Sequence, residues 1–156
     1  MKTVNLYCDG ACSGNPGYGG YGVILEFQGT EKEMKGYICD DNGKPVITTN
    51  NIAELTAVIA GLKTLRYPCH VVVTTDSKYV SDAFNQGWIY RWLQNGWKAD
   101  KGKPVKNREL WEKLLELCKI HKVEFVHVNG HSGHVYNERC DALAKEAVKE
   151  AKKISA

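Results

Sequence analysis

Between residues 51 and 86 the sequence changes period twice, and that succession limits the fold more than any other feature. Residues 51–66 set Ile52, Leu55, Val58, Ile59, Leu62 and Leu65 at the spacing of an amphipathic helix. The next regular segment, 70–75 (HVVVTT), is dense in β-branched residues, as suits a central strand. A further helical segment, 77–86, follows directly. A strand flanked by helices is reached by crossover connections and pairs with a parallel neighbour. The alternating segment 3–8 is the natural partner.

The remaining segments extend this frame. Residues 20–28 and 31–39 read as strands joined by a turn near Gly29-Thr30, an antiparallel hairpin, and the polar loop 40–45 follows. Beyond 77–86 come a helix at 88–95, a Gly- and Lys-rich loop at 96–106, a helix at 107–121, a strand at 123–128, the loop NGHSGH, and a helix from about 136 to 152. An antiparallel start followed by helix-connected strands implies an α/β domain with a mixed sheet. The 156 residues suffice for one domain with a sizeable core, and no repeat or linker divides them. No apolar run reaches membrane-spanning length, and the opening MKTVNLYCDG lacks the apolar core of a signal peptide. These features point to a cytoplasmic protein that makes no membrane contact. Its six cysteines are then expected to be free thiols.

Four carboxylates stand at chemically exposed points of this frame. Asp9 is expected to end the first strand and open the glycine loop DGACSGNPGYGG. Asp76 ends the strand HVVVTT, and Glu54 and Asp141 fall in the opening turns of helices, at the margin of the inward face. Ligands of such sheets bind beyond the carboxyl ends of the strands, where both strand-terminal aspartates lie. Each acid also has a plain structural explanation. Asp9-Gly10 is a turn dipeptide, and Asp76-Ser77 is an N-cap pattern. Glu54 could complete a capping box after Asn50 or Asn51, and Asp141 could complement a helix dipole. Four acids converging on one sheet edge would repel one another unless a cation held them. Hard oxygen donors in that number suit Mg²⁺, or Mn²⁺, better than zinc. For a zinc set of His131, His134 and Cys140, no second ligand pair with zinc spacing is present.

Charge is uneven as well. Residues 88–111 hold Arg91, Lys98, Lys101, Lys103, Lys106 and Arg108 against Asp100 and Glu109, together with all four tryptophans (Trp88, Trp92, Trp97, Trp111). Basic residues interleaved with aromatics fit a polyanion-binding surface. A solvated loop whose tryptophans pack inward fits equally well.

Five segments in order, YCDGACSGNPGYGGYG, TTNNIAELTAVIAGL, TTDSKYV, GWIYRWLQNGWK with KPVKNRELW, and VNGHSGHVYNERCDALA, resemble type 1 ribonuclease H from about residue 3 to 147. The resemblance implies a ribonuclease H-like fold, a five-stranded mixed sheet with three antiparallel strands and then parallel ones, flanked by helices. It implies one catalytic domain over 1–156, with a basic protrusion at about 88–106 and a short tail at about 153–156. The implied activity is endonucleolytic hydrolysis of the RNA strand of an RNA–DNA hybrid, leaving 5′-phosphate and 3′-hydroxyl ends. Two Mg²⁺ ions, with Mn²⁺ as an alternative, would be held by Asp9, Glu54, Asp76 and Asp141, Asp9 bridging them. His131 matches the family's proton-transfer histidine.

The same resemblance places Cys12, Ser13, Asn15, Asn50, Asn51, Ser77 and Lys78 toward the minor groove of the hybrid, where small and amide side chains can read a 2′-hydroxyl. Thr49 matches a residue lining a pocket for a DNA-strand phosphate, and Trp88, Trp92 and Lys98 match the protrusion that grips the DNA strand. The expected partner is thus an RNA–DNA hybrid duplex, bound by a monomer without an obligate protein partner. The chain departs from the family pattern at Lys78 (often glutamine), at Ile52-Ala53 (often Arg-Met), at Leu93-Gln94-Asn95 (often more basic) and in a longer loop 38–47. None of these positions is one of the acids or His131. Two rivals share the sheet: a DNA-directed integrase or resolvase, and a nucleic-acid-binding module without catalysis.

Overall fold

The computed structural model describes residues 1–130 and 133–156. Three strands, β1 (Thr3–Ser13), β2 (Gly17–Phe27) and β3 (Thr30–Tyr37), form an antiparallel meander. A two-residue strand, β4 (Ile47–Thr48), also pairs with β2, and α1 (Asn50–Thr64) leads to β5 (His70–Thr75). Helices α2 (Lys78–Asn85), α3 (Trp88–Asn95) and α4 (Arg108–Ile120) precede β6 (Lys122–His127), and α5 (Val135–Ser155) closes the chain. The sheet order is β3-β2-β1-β5-β6, with β1–β5 and β5–β6 parallel. The expected mixed sheet and its parallel pair are both present; the short β4 is an addition to the expected five strands.

The two faces of the sheet are packed differently. Leu6, Val23, Val71 and Val73 meet Leu55, Val58 and Leu62 of α1, and the cluster continues to Trp111 and Leu114 of α4, all fully buried. At roughly 1.5–3 kcal/mol for each large apolar side chain, this cluster supplies much of the driving force for folding. On β2, Val23 points to α1 while its neighbour Gly22 points to the other face, where α5 lies. A Cβ on Gly22 would sit 2.4 Å from the Cys140 carbonyl oxygen, and one on Gly20 would sit 2.7 Å from that of Ala144. Glycine therefore lets the α5 backbone rest directly on β2.

Two boundaries differ from expectation for physical reasons. β1 does not end at Asp9: its ladder with β2 continues to Ser13↔Tyr18, so the turn is confined to 14–16 and the glycines from Gly17 on already belong to β2. α5 runs on to Ser155, so residues 153–155 are its last turn.

Candidate metal centre and substrate face

The sheet opens at the point where Asp9 and Asp76 meet. Parallel pairing of β1 with β5 stops at Tyr7↔Thr74, while β1 continues beside β2 with Asp9 opposite Gly22. β5 ends at Thr75, so Asp76 is the first residue beyond it. The cap of α2 belongs to Ser77, whose Oγ accepts the Val80 amide at 3.2 Å. That leaves the Asp76 carboxylate free of capping.

Glu54 arrives from α1. Thr49 is the N-cap, its Oγ1 accepting the Ile52 amide at 3.3 Å, which places Glu54 five residues into the helix, beyond the third position a capping box requires. The approach depends on Gly10, where a Cβ would fall 2.6 Å from both the Ala53 carbonyl carbon and the Glu54 nitrogen. As a result, Asp9, Glu54 and Asp76 each bring a carboxylate oxygen within 4.8 Å of the others. Asp141, expected as the fourth member, stands at the margin, partly exposed, with its Oδ2 bound to Lys145 Nζ at 2.9 Å. It lies seven residues after the α5 cap His134, past the first turn in which a helix dipole acts strongly.

The electrostatics show why bare carboxylates are ill at ease here. Burial, then the charges of Glu54 and Asp76, raise the Asp9 carboxyl well above the ordinary range. Burial and the Asp76 charge raise Glu54 in the same direction, and Asp141 adds to the repulsion on both. Among the described residues, Glu54 Oε2 is buried without a hydrogen-bond partner. A buried, unpartnered carboxylate oxygen beside two further carboxylates fits a divalent cation with hard oxygen ligands.

The zinc alternative does not fit. His134 Nδ1 accepts the Asn137 amide at 3.2 Å as the α5 cap. The Cys140 thiol is fully buried, and burial above all pushes it up to about 12. His131, expected as the proton-transfer residue, lies outside the described residues.

The expected substrate residues fall into three groups. Asn15 Oδ1 accepts the Asn50 amide at 3.2 Å, and Cys12 Sγ lies 3.4 Å from the Gly17 carbonyl oxygen and 3.5 Å from that of Thr48. Cys12, Asn15, Thr49 and the exposed Asn50 and Asn51 thus meet at the junction of β1, β2, β4 and α1. Ser77 and the exposed Lys78 open α2 beside Asp76. Across the molecule, Trp88, Trp92 and Lys98 line one cleft of about 410 Å³ with Arg91, Asn95 and Asp100. The tryptophans divide: Trp97 and Trp111 are buried, while Trp88 and Trp92 are half-exposed in the cleft. The inward-packing reading of that segment therefore describes Trp97 and Trp111, while Trp88 and Trp92 are only partly buried against the core.

Sequence reasoning counted Arg91 only among the segment's basic residues and missed Asn95, although they follow Trp88 and Trp92 by three residues each on α3. It also missed Lys145 as the partner of Asp141, which the i, i+4 spacing could have revealed. Gly10 was read as half of a turn dipeptide, whereas close backbone approach explains it.

Comparison with known proteins agrees with this geometry. The family model described as RNase H matches residues 1–149. A ribonuclease H of Chlorobaculum parvum is 48% identical over 149 residues, covering 96% of this chain and 97% of the relative. One of Idiomarina loihiensis is 51% identical over 147 residues, covering 94% and 88%. Among solved structures, LC9-RNase H1, a type 1 RNase H with the type 2 active-site motif, superposes with a TM-score of 0.81 at 31% identity, over 97% of this chain and 74% of that one. LC11-RNase H1 in complex with an RNA/DNA hybrid gives 0.68 at 27% identity, over 95% and 98%.

Proposed function

Because the chain belongs to the ribonuclease H family, we propose that it is the endoribonuclease this membership suggests, cutting the RNA strand of RNA–DNA hybrids to leave 5′-phosphate and 3′-hydroxyl ends. The observation that carries the reading is the cluster of Asp9, Glu54 and Asp76 oxygens within 4.8 Å, with one Glu54 oxygen buried and unpartnered. Asp9, Glu54, Asp76 and Asp141 would hold two divalent cations, Mg²⁺ in the first instance and Mn²⁺ as an alternative, with Asp9 shared between them. Such a pair, when bound, supplies water activation and charge neutralisation at the departing 3′ oxygen.

The chain's own groups do the rest. The carboxylates fix where the scissile phosphate can sit, on the open edge between β1 and β5. Cys12, Ser13, Asn15, Asn50 and Asn51 face the RNA strand with small and amide groups suited to a 2′-hydroxyl, and Ser77 and Lys78 extend that contact. Thr49 receives a phosphate of the DNA strand. Trp88, Trp92 and Lys98 hold the same strand further on, through stacking and charge. His131 moves a proton as the product leaves, a task for which an imidazole near neutrality is suited. The enzyme acts as a monomer in the cytoplasm, with residues 1–156 forming one catalytic domain; six free thiols fit a reducing compartment. Among the described residues no helix is long and apolar enough to cross a membrane.

Labelled RNA–DNA, DNA–DNA and RNA–RNA duplexes, incubated with Mg²⁺ and then with EDTA, test the proposal. Cleavage confined to the RNA strand of the hybrid, abolished by EDTA, is expected. Cutting of the DNA duplex, or cutting that survives EDTA, would overturn it.

A further inference from the structure

On the α5 side of the molecule a second cleft, of about 270 Å³, lies between the end of β1 and the outer face of α5. One wall is Ala11, Cys12 and Ser13, and the other carries Lys145, Lys149 and Lys152. Spacings of four and three residues put these lysines on one helical face. Glu138 and Asp141 precede them on that face, so its charge changes sign along the helix: acidic beside the metal centre, basic beyond it. Lys145 is held by Asp141 at the boundary. Among the described residues neither Lys149 nor Lys152 has an ion-pair partner, and both are exposed. Glu146, which could have neutralised the row, is instead bound to Lys35 at 3.0 Å.

We propose that Lys149 and Lys152 form a phosphate-binding row for the RNA strand, gripping it beyond the metal centre, a proposal that rests on the hybrid-cleaving function above. Three features commit the row to the RNA strand rather than to DNA. The facing wall contains Ser13, a small hydroxyl side chain suited to a ribose hydroxyl. The cleft begins at Lys145, whose partner Asp141 is one of the four acids that would engage the scissile RNA phosphate. The Trp88 cleft offers the DNA strand a separate site. Scale agrees too: the seven residues from Lys145 to Lys152 rise about 10 Å, roughly three nucleotide steps at 3.4 Å per step. The row would keep the strand taut across the acids and add affinity without base preference.

The test compares the wild-type protein with Lys149→Gln/Lys152→Gln, and with Lys63→Gln/Lys113→Gln as a control of equal charge loss on α1 and α4. Circular dichroism and thermal unfolding establish that all three are folded, as exposed helical positions lead one to expect. Hybrid binding is followed by fluorescence anisotropy in EDTA across a salt series, and cleavage is measured separately with Mg²⁺. The row variant should bind on the order of tenfold more weakly at low salt, with a log–log salt slope shallower by roughly 1.8, about 0.9 for each lost duplex phosphate contact. Its KM should rise accordingly, with kcat retained.

Neutral methylphosphonate linkages in the RNA strand should erase the difference between variant and wild type, whereas the same linkages in the DNA strand should leave it. Binding equal to that of the control pair, or a deficit that disappears only when the DNA strand is neutralised, would overturn the proposal. Should the wild-type protein bind hybrid with the predicted contrast yet fail to cut it, the hydrolytic reading falls and the row stands.

Discussion

Asp9 lies in mid-strand, yet its carboxylate reaches the open edge of the sheet because β5 stops two residues earlier than β1 needs a neighbour. From sequence, Asp9, Asp76 and Glu54 were legible as a group, since strand ends and a helix margin converge only at that edge. Their rival explanations fell to specific atoms: Ser77 and Thr49 do the capping. Asp141 was less legible, because its neighbour Lys145 competes for the carboxylate. Burial and mutual repulsion raise Asp9 and Glu54, so the metal-free folded state keeps protons that the unfolded chain has lost. Stability from these groups is therefore full below the ordinary carboxylate range, about pH 4, and is lost as pH rises toward the raised values. The unfolding midpoint in EDTA should fall between about pH 5 and 8. Mg²⁺ should restore it, and Asp9→Asn should flatten the slope. A midpoint in EDTA that does not change with pH would contradict this. His131→Ala, with the acids intact, should lower kcat by about one to two decades, a little under a typical general acid–base contribution; single-turnover and steady-state rates measured together locate the loss at chemistry or at release.

At the scale of elements, the site depends on how closely helices can approach the sheet. The 3.6-residue and 2-residue periods made α1, β5 and the β2–β3 hairpin readable. The extension of β1 past Asp9 was not readable, because Asp9-Gly10 also spells a turn. What decides it is tertiary: Gly20 and Gly22 carry α5, and Gly10 admits α1. Gly10→Ala should therefore act in two ways. A methyl group pressed against the Ala53 and Glu54 backbone should cost about 1–3 kcal/mol of stability, the range for overpacking. It should also push Glu54 away from Asp9 and reduce cleavage beyond what the stability loss explains. Thermal unfolding and hybrid cleavage, both measured well below the variant's unfolding midpoint, separate the two effects; an active variant of normal stability would show that the approach is looser than described.

Across the whole molecule, catalysis and substrate grip are assigned to different places. The acids sit between β1, α1 and β5, the RNA-facing groups at the start of α1, the Trp88 cleft on α3, and the lysine row on α5. The sequence showed the basic, Trp-rich segment but not which tryptophans face outward, since that depends on how α3 and α4 pack together. Separation of the two tasks gives the central claim its most direct measurement: hybrid binding and RNA-strand cleavage by Asp9→Asn, side by side with the wild type. The account predicts no detectable cleavage with Mg²⁺ and hybrid affinity that is retained, because the groups that grip the strands lie outside the acid cluster. Cleavage at the wild-type rate would contradict the metal-holding role of Asp9, and binding lost together with cleavage would contradict the separation of grip from chemistry.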